Sequence, residues 1–364
     1  MNILAFMQSP RMINFGGANR ILINICNNLA DNNHNITLMT NANANFLYDL
    51  NNNIKTVSLH LPASLNLLNS LKAIRRLRKY IKKNRDDAIL VFSPLLFIIA
   101  IIASIATNVP VITSIRDDPY KLSSNILRKR VMQIFYPLAA GCVFQTSKAQ
   151  GFFSEKLKLK SSIINNLINR QVFEIHQSMA RKNIIGVGRL SLDKNWNIAI
   201  KAFSLIAHET HENFLIYGNG PELGSLKSCV NELGITDRVF FMGVSEEVEK
   251  IVVNAKLFVL SSDFEGTPNA LIEALIMGVP CVSTKFTGGG AEMLIESNKN
   301  GILVPIGDYK EMANVMSRIL NDKEYAEQLG NNAKIKARKE YEPICIFKQW
   351  ESFIYSIVYK NSTI

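Results

Sequence analysis

The chain is poor in cysteine and histidine, with five of each among its 364 residues. The cysteines are odd in number and never closely paired, which argues against a disulfide framework and a cysteine-ligated zinc site. They are Cys26, Cys142, Cys229, Cys281 and Cys345. The histidines show no metal-ligand spacing, so we expect no bound metal. These absences predict a protein of a reducing compartment.

Long hydrophobic runs are also scarce. The most apolar segment, Leu95 to Thr107, is flanked by Pro94 and Pro110, and it is shorter than the roughly 20 residues that cross a bilayer. We predict a buried helix there rather than a transmembrane span. The first residues, MNILAFMQSPRM, show neither the basic start nor the cleavage site of a signal peptide. We therefore expect a cytoplasmic protein.

Positive charge is distributed unevenly along the chain. Residues 1–170 contain 21 Lys and Arg against 7 acidic residues, whereas the remainder contains 20 against 23. The densest basic stretch is 71–85, where Leu71, Ile74, Leu77 and Ile81 recur at helical steps. Such a basic amphipathic helix suits an anionic membrane surface, but it is equally typical of a solvated helix face. Nucleic-acid binding is disfavoured, because no recognition module accompanies the charge.

Short runs rich in Ile and Val alternate with helix-length amphipathic stretches, as expected of parallel sheets covered on both faces. The predicted strands of the first half are 3–7, 36–40, 56–59, 88–92, 109–115, 142–145 and 162–164. Those of the second half are 183–187, 213–217, 238–242, 257–261, 281–283 and 302–304. Because a domain usually takes about 100 to 200 residues, we predict an α/β protein of two doubly wound, Rossmann-like domains, 1–168 and 169–343.

Glycines follow the first predicted strand. Gly16 and Gly17 precede a helix-forming stretch, and open parallel sheets bind ligands at the carboxyl ends of their strands. Glycine lets the backbone approach a phosphate closely, while the helix N-terminus supplies unpaired amides. A tight turn accounts for the same pair equally well.

A second cluster follows the first strand of the second half. Gly188 and Arg189 come directly after that strand, and Lys194 lies at the start of the next helix. The two cations can converge on one anion, and we expect a diphosphate, because fixed cations stabilise the charge that develops on a departing nucleotide. Surface salt bridging is the alternative.

A third cluster spans 261–273. Glu265 lies in a strand-to-helix loop and Glu273 one turn into the next helix, so we expect both carboxylates to face a cleft and to accept hydrogen bonds from sugar and ribose hydroxyls. Residues at the helix entry are expected to present backbone amides to ligand oxygens. These are Gly266, Thr267, Pro268 and Asn269.

These motifs together closely resemble the retaining glycosyltransferases of family 4, which have the GT-B fold of two Rossmann-like domains facing each other across a cleft. The resemblance rests on two glutamates separated by seven residues and on the sequence of 273–280. It extends in register to the paired glycines and to 188–194, 218–221, 241–243 and 301–308. It covers most of the chain.

The resemblance implies roles for the second-half residues. Glu273 would bind the ribose hydroxyls, and Glu265 would reach the donor sugar near its hydroxyls at carbons 3 and 4. Arg189 and Lys194 would hold the diphosphate in place of a metal ion, so that no cofactor is needed beyond the nucleotide diphosphate sugar itself.

Other implications concern the nucleotide and the domains. Gly17 would lie close to the diphosphate, while Gly220 and the loop after Gly243 would border the nucleotide. The segment 169–343 would bind the donor and 1–168 the acceptor. A C-terminal helix, 344–364, would pack back onto the first domain.

One departure from the family pattern follows the strand at 111–115. Many members have a histidine there, whereas this chain has Arg116 and Asp117, a pattern similar to that of a bacterial polysaccharide subset. Arg116 is expected to contact a donor or acceptor phosphate. Asp117 is a candidate acceptor for the proton of the acceptor hydroxyl, although the donor phosphate can take that proton in a retaining front-face mechanism.

The resemblance implies transfer of a hexose or N-acetylhexosamine from a nucleotide diphosphate sugar, expected to be a uridine diphosphate sugar. The acceptor would be a lipid-linked oligosaccharide of bacterial surface polysaccharide, such as O-antigen, capsule or lipopolysaccharide, and the enzyme would lie at the inner face of the membrane. A sugar-nucleotide epimerase of similar fold and a non-catalytic nucleotide-sugar-binding protein are the alternatives. The glutamate pair with Arg189 and Lys194 favours transfer over both.

Overall fold

The computed structural model describes residues 1–9, 17–43, 50–105, 107–122 and 125–360. It divides the chain into two compact units. The first unit comprises Met1–Leu167 and the C-terminal segment that begins at Pro343, and the second comprises Ile168–Glu342. The boundary falls between a strand of the first unit and a short helix of the second.

The first unit is built on a parallel sheet of seven strands within the described ranges. Each predicted strand of the first half is confirmed to within two residues at either end. The strands are β1 Asn2–Met7, β2 Asn35–Thr40, β3 Lys55–Ser58, β4 Ala88–Val91, β5 Val111–Ile115, β6 Gly141–Phe144 and β7 Ser161–Ile163. Their order is β3-β2-β1-β4-β5-β6-β7. The central strands β4 and β5 are buried along their length, which accounts for their apolar composition.

The helices of this unit connect successive strands. They are α1 Gly17–Asp31, α2 Leu67–Asn84, α3 Pro94–Ser104, α4 Pro119–Leu122, α5 Ile126–Phe135, α6 Ser147–Gly151 and α7 Glu155–Lys158. The predicted basic helix is α2; it begins after Asn66, whose side chain accepts a hydrogen bond from the amide of Asn69 at 2.9 Å. The apolar run after Pro94 forms α3 and is mostly buried. Among the described residues, no helix is both long and apolar enough to cross a membrane.

The second unit contains a parallel sheet of six strands in its described residues. The strands are β8 Lys182–Val187, β9 Phe214–Tyr217, β10 Val239–Gly243, β11 Ala255–Leu260, β12 Cys281–Thr284 and β13 Ile302–Val304, in the order β10-β9-β8-β11-β12-β13. The helices are α8 Gln171–Glu174, α9 Trp196–Ile206, α10 Leu223–Glu232, α11 Val248–Val252, α12 Asn269–Ile276, α13 Gly290–Leu294, α14 Tyr309–Asn321 and α15 Lys323–Glu340. The predicted class, two doubly wound α/β domains, is confirmed.

The last helix, α16 (Pro343–Lys360), belongs to the first unit and packs against α1. Trp350 is fully buried, with its ring 5.6 Å from that of Phe92 at the end of β4. Glu351 pairs with His34 at 3.0 Å. Apolar side chains and one partly buried polar contact therefore attach this helix to a unit whose last strand ends 180 residues earlier in the chain.

Each sheet reverses its strand order once, between β1 and β4 in the first unit and between β8 and β11 in the second. At such a switch point the loops that follow the two strands diverge and leave a crevice at the carboxyl edge, where open α/β sheets bind ligands. The loops after β8 and β11 contain the cations and the first carboxylate that the sequence indicates.

Candidate active site

The centre of the site is an ion pair between the loops that follow β8 and β11. The Lys194 ammonium donates to the Glu265 carboxylate, which also accepts a hydrogen bond from the Ser262 hydroxyl at 2.9 Å. The side chains of Lys194 and Glu265 are only 14% and 12% exposed. A charged hydrogen bond so shielded from water is stronger than one on the surface.

Backbone and side-chain bonds hold the two loops together around this pair. Asn195 has a left-handed backbone, with φ 43°. Its side-chain amide donates to the Asp263 carboxylate at 2.9 Å. The Asp263 amide donates to the carbonyl of Asp193 at 3.0 Å, and the Ser261 hydroxyl donates to the carbonyl of Lys194 at 2.9 Å. Asparagine tolerates this backbone conformation. These bonds between the two loops hold Lys194 beside Glu265.

Arg189 occupies a different position from Lys194. Its side chain is 59% exposed and lies 3.7 Å from Asp193, a surface contact that contributes little to stability. Its backbone carbonyl accepts a hydrogen bond from the indole of Trp196 at 3.0 Å. The backbone is therefore anchored, while the guanidinium can turn toward an anion. In this conformation each predicted cation pairs with a different carboxylate.

The predicted glycines of the second unit line the same edge of the sheet. A Cβ on Gly220 would lie 2.1 Å from the carbonyl oxygen of Leu190, and one on Gly218 would lie 1.9 Å from that of Gly188. The Gly218 amide donates to the carbonyl of Gly243 at 2.7 Å. Close backbone packing requires glycine here, and it also leaves a surface without side chains at the end of the sheet.

Helix α12 contributes the second carboxylate. Glu273, the fifth residue of this helix, is only 5% exposed. The preceding loop includes Gly266 and Thr267, both buried, and Pro268 is the cap residue before Asn269. Glu273 lies beyond the first turn of α12, which contains no acidic residue, so the helix dipole does not account for a glutamate at this buried position.

Sequence reasoning missed the loop after β12. A Cβ on Gly290 would lie 1.8 Å from the carbonyl oxygen of Gly266. The Glu265 amide donates to the carbonyl of Thr287 at 3.4 Å, and Phe264 and Thr287 form a bridge. This loop therefore supports the Glu265 loop from the other side. The signal that identifies it is the run Gly288-Gly289-Gly290 shortly after a strand.

The candidates of the first unit lie on different elements. Gly16 is outside the described residues, and Gly17 is the exposed first residue of α1. Asp117 is exposed directly after β5. The roles predicted for these residues stay predictions.

Arg116 is half-buried in the first unit, and two of its guanidinium nitrogens are fully shielded from solvent. Its Nη1 donates to the side-chain oxygen of Asn166, and its guanidinium carbon lies 5.1 Å and 5.5 Å from the rings of Phe92 and Trp350. Nε and Nη2 are buried and have no hydrogen-bond partner among the described residues. Burial lowers the pKa of Arg116 to about 9, so the group is still charged at neutral pH, and cation–π contacts stabilise it. A phosphate contact by Arg116 stays a prediction.

Within the described ranges, no group of three His, Cys, Asp or Glu residues is placed to hold a metal ion. Metal independence nevertheless stays a prediction, because a nucleotide diphosphate can itself bring a cation into a site.

Two family models match the chain in its two halves. The model described as glycosyltransferase family 4 matches residues 15–172, and the model described as glycosyl transferases group 1 matches residues 169–336. A Campylobacter jejuni protein is 28% identical over 349 residues, which cover 94% of this chain and 96% of the relative. That relative is named GalNAc-alpha-(1->4)-GalNAc-alpha-(1->3)-diNAcBac-PP-undecaprenol alpha-1,4-N-acetyl-D-galactosaminyltransferase.

Solved structures show the same architecture. Sucrose-phosphate synthase of Thermosynechococcus elongatus superposes with a TM-score of 0.86 at 18% identity, over 98% of this chain and 99% of that one. Anabaena HepE, crystallised with UDP and glucose, superposes with a TM-score of 0.82 at 20% identity, over 98% and 100%. The motifs, the two doubly wound sheets and the matches to both halves lead to one conclusion: the chain belongs to the family 4 glycosyltransferases of GT-B fold.

Proposed function

We propose that this enzyme transfers a hexose or N-acetylhexosamine from a UDP-sugar to a lipid-linked oligosaccharide of bacterial surface polysaccharide, with retention of anomeric configuration. The observation that carries the proposal is the shielded Lys194–Glu265 pair, supported by Ser262, at the switch point of the second sheet. It sets a cation for phosphate beside a carboxylate for sugar hydroxyls. Glu273 supplies a second carboxylate on the following helix.

The proposed reaction breaks the bond between the sugar anomeric carbon and the phosphate oxygen. The acceptor hydroxyl attacks from the same face, and its proton passes to the departing phosphate oxygen, so no enzymic base is required. Lys194 and Arg189 stabilise the negative charge on the leaving diphosphate, because fixed cations need no reorganisation during the reaction. The same two cations take the place of a metal ion. Glu265 accepts hydrogen bonds from the donor sugar and Glu273 from the ribose.

The choice of substrates draws on the relatives. HepE binds UDP and UDP-glucose in its crystal structures, and the Campylobacter relative is named for an undecaprenol diphosphate-linked acceptor. By analogy we assign a uridine nucleotide and a lipid-linked acceptor to this chain. The enzyme then works peripherally at the cytoplasmic face of the membrane, where the basic stretch 71–85 is attracted to anionic lipids.

A thermal-shift panel tests the donor site directly, because a ligand that binds only the folded state raises the Tm. We expect UDP and UDP-sugars to raise the Tm, and guanosine and adenosine diphosphates to have little effect. Glu273→Ala should weaken UDP binding by about 10- to 100-fold, the loss expected of one charged hydrogen bond. Glu324→Ala, at an exposed position of α15, is the matched control and should bind UDP normally. A Glu273→Ala protein with unchanged UDP affinity would remove the ribose assignment.

A further inference from the structure

Glu265 uses only one of its two carboxylate oxygens in bonds within the protein. Its Oε1 accepts hydrogen bonds from both the Lys194 ammonium and the Ser262 hydroxyl. No residue that the structure describes donates a hydrogen bond to Oε2, and this oxygen is not sealed from solvent. Because a carboxylate accepts roughly four hydrogen bonds, part of this group is open to a ligand.

The Lys194 ammonium has a single acceptor in the described part of the chain, Oε1 of Glu265. The backbone of Lys194 is held at two points. Its amide donates to the carbonyl of Ser191 at 3.0 Å, and its carbonyl accepts from the Ser261 hydroxyl at 2.9 Å. The backbone position is therefore fixed, and the flexible four-carbon stem is the part of this residue that can turn toward another anion.

Arg189 is bound less firmly than Lys194. Its side chain is 59% exposed and lies 3.7 Å from Asp193, and an exposed pair of this kind contributes little. A diphosphate can therefore draw Arg189 away from Asp193 at small cost. Drawing Lys194 away instead leaves Glu265, which is only 12% exposed, without its counter-ion, and a shielded charge without a partner is strongly unfavourable.

The ligand that can offset this loss follows from hydrogen-bonding chemistry. A nucleotide diphosphate provides phosphate oxygens for Lys194 but no group that replaces the ammonium at Glu265. A sugar nucleotide also provides sugar hydroxyls, which can donate to the carboxylate while Ser262 continues to donate to Oε1. A sugar nucleotide therefore compensates both members of the pair, whereas a nucleotide diphosphate compensates only the cation.

We propose that Glu265 determines the preference of this site for a UDP-sugar over UDP, because it binds Lys194 until sugar hydroxyls take the place of the ammonium. The inference rests on the proposed function, since it takes the UDP-sugar as donor. In this exchange of partners Lys194 turns from a carboxylate oxygen to a phosphate oxygen, and no covalent bond changes. Because UDP is also the product of transfer, the same exchange weakens product binding once the sugar has left.

The test compares the affinity for UDP with the affinities for UDP-hexoses and UDP-N-acetylhexosamines, measured by isothermal titration calorimetry without acceptor. Glu265→Gln keeps an oxygen that accepts from Ser262 and removes the charge that binds Lys194. We expect this variant to bind UDP about tenfold more tightly than wild type, as for the release of one charged hydrogen bond. It should bind the sugar nucleotide no more tightly than wild type does. The Tm of the variant verifies that it is folded.

Asp193→Asn is the matched control, because it removes a carboxylate beside Arg189 that has no proposed contact with the sugar. This control calibrates the gain that UDP receives from any lost negative charge, since a terminal phosphate carries more charge than an esterified one. The ratio of the two affinities in Asp193→Asn should stay within about twofold of the wild-type ratio.

Unchanged UDP affinity in Glu265→Gln, with weaker binding of the sugar nucleotide, would overturn the proposal and leave Glu265 as a sugar contact alone. Equal gains for both ligands, or a change of ratio no larger than in Asp193→Asn, would show simple charge repulsion and would also overturn it. Failure of the inference alone leaves UDP binding by the wild-type protein intact. A wild-type protein that binds neither UDP nor any of these sugar nucleotides would refute the proposed function, and the inference with it.

Discussion

In the candidate site, a few hydrogen bonds fix the orientation of the charged side chains of Lys194 and Glu265. Both side chains are largely shielded from water, and removing one member of such a pair leaves the other charge without its partner. Ser262 shares the carboxylate, and Asp263 holds the adjoining loop to Asn195. The sheet supplies the position of the loops, while these few bonds set the orientation of the charged groups.

Replacing Glu265 by glutamine tests this arrangement. The amide oxygen of Glu265→Gln can still accept from Ser262, but the charge that holds Lys194 is lost. We expect a folded enzyme whose kcat falls by about 10- to 100-fold, as for the loss of a charged hydrogen bond. Steady-state kinetics with a UDP-sugar measure this, with Glu292→Gln, in an exposed ion pair with Lys285, as the control. Normal turnover in Glu265→Gln would exclude a role for the charge.

Asp86 predicts a pH dependence of stability. Burial raises its pKa from 3.8 to about 6, and its Oδ2 has no hydrogen-bond partner among the described residues. The folded state therefore binds this proton more tightly than the unfolded state. The resulting stabilisation is fully present below about pH 4, is lost as the pH rises through 6, and stays lost above that.

Asp86→Asn should remove this dependence. At pH 8 the variant should be more stable than wild type by on the order of 2 kcal/mol, because no charge is buried, whereas near pH 4 the two should be similar. Urea unfolding at both pH values gives the difference in free energy, and Asp237→Asn, at an exposed position, serves as the control. A variant less stable than wild type at pH 8 would contradict the assigned cause.

Helix α16 covers residues that belong to or follow strands of the first sheet. Trp350 covers Phe92 and Arg116, and Glu351 reaches His34. Among the described residues the guanidinium donates to one partner, Asn166, so its shielding depends on the rings that pack against it, one of them supplied by this helix. The first residue of β6 also lies under α16: a Cβ on Gly141 would be 2.2 Å from Cδ1 of Ile357.

Gly141→Ala should therefore destabilise the first unit by about 1 to 3 kcal/mol, the cost of overpacking a contact that side chains can only partly relieve. Gly151→Ala is the matched control, because a Cβ there meets nothing within 4 Å, and it should be neutral or slightly stabilising. Thermal unfolding of both variants measures the difference. Equal effects of the two substitutions would mean that α16 does not press on β6.

The two units differ in charge and in the candidate site residues that they contain. The excess of basic residues lies before residue 171, whereas the Lys194–Glu265 site belongs to the second unit. We expect Arg189 and Lys194 to balance the charge of the proposed diphosphate without a divalent ion.

Chelation tests that expectation on the intact enzyme. We expect turnover to be retained, within about twofold, after EDTA treatment, because Arg189 and Lys194 already supply the charge that a metal ion would provide. Transfer is measured with and without added Mg²⁺, and UDP release by a metal-dependent transferase under the same EDTA conditions is the control. Loss of activity that Mg²⁺ restores would show that the donor needs a cation the protein does not supply.

Most of the fold was predictable, and part of the site. The strands were predicted because buried parallel strands are short continuous apolar runs, and the loops of Arg189, Lys194 and Glu265 were predicted because parallel strands bring their carboxyl ends to one edge. The support of Glu265 by the loop at 287–290 was not predicted. Surface salt bridging was the stated alternative for Arg189, but its partner Asp193 was not predicted, since a strand-end position does not specify which acid a long side chain reaches.

By itself, the sequence determined the two doubly wound sheets and the residues at their carboxyl edges, because the period of apolar residues and the chemistry of loop entry are local properties of the chain. Only the tertiary structure decided that the Arg116 guanidinium packs against Trp350, that His34 meets Glu351, and that Leu67 and Ile126 stay exposed. These outcomes depend on which surfaces residues distant in the chain cover. Packing between remote elements determines that, and no local pattern records it.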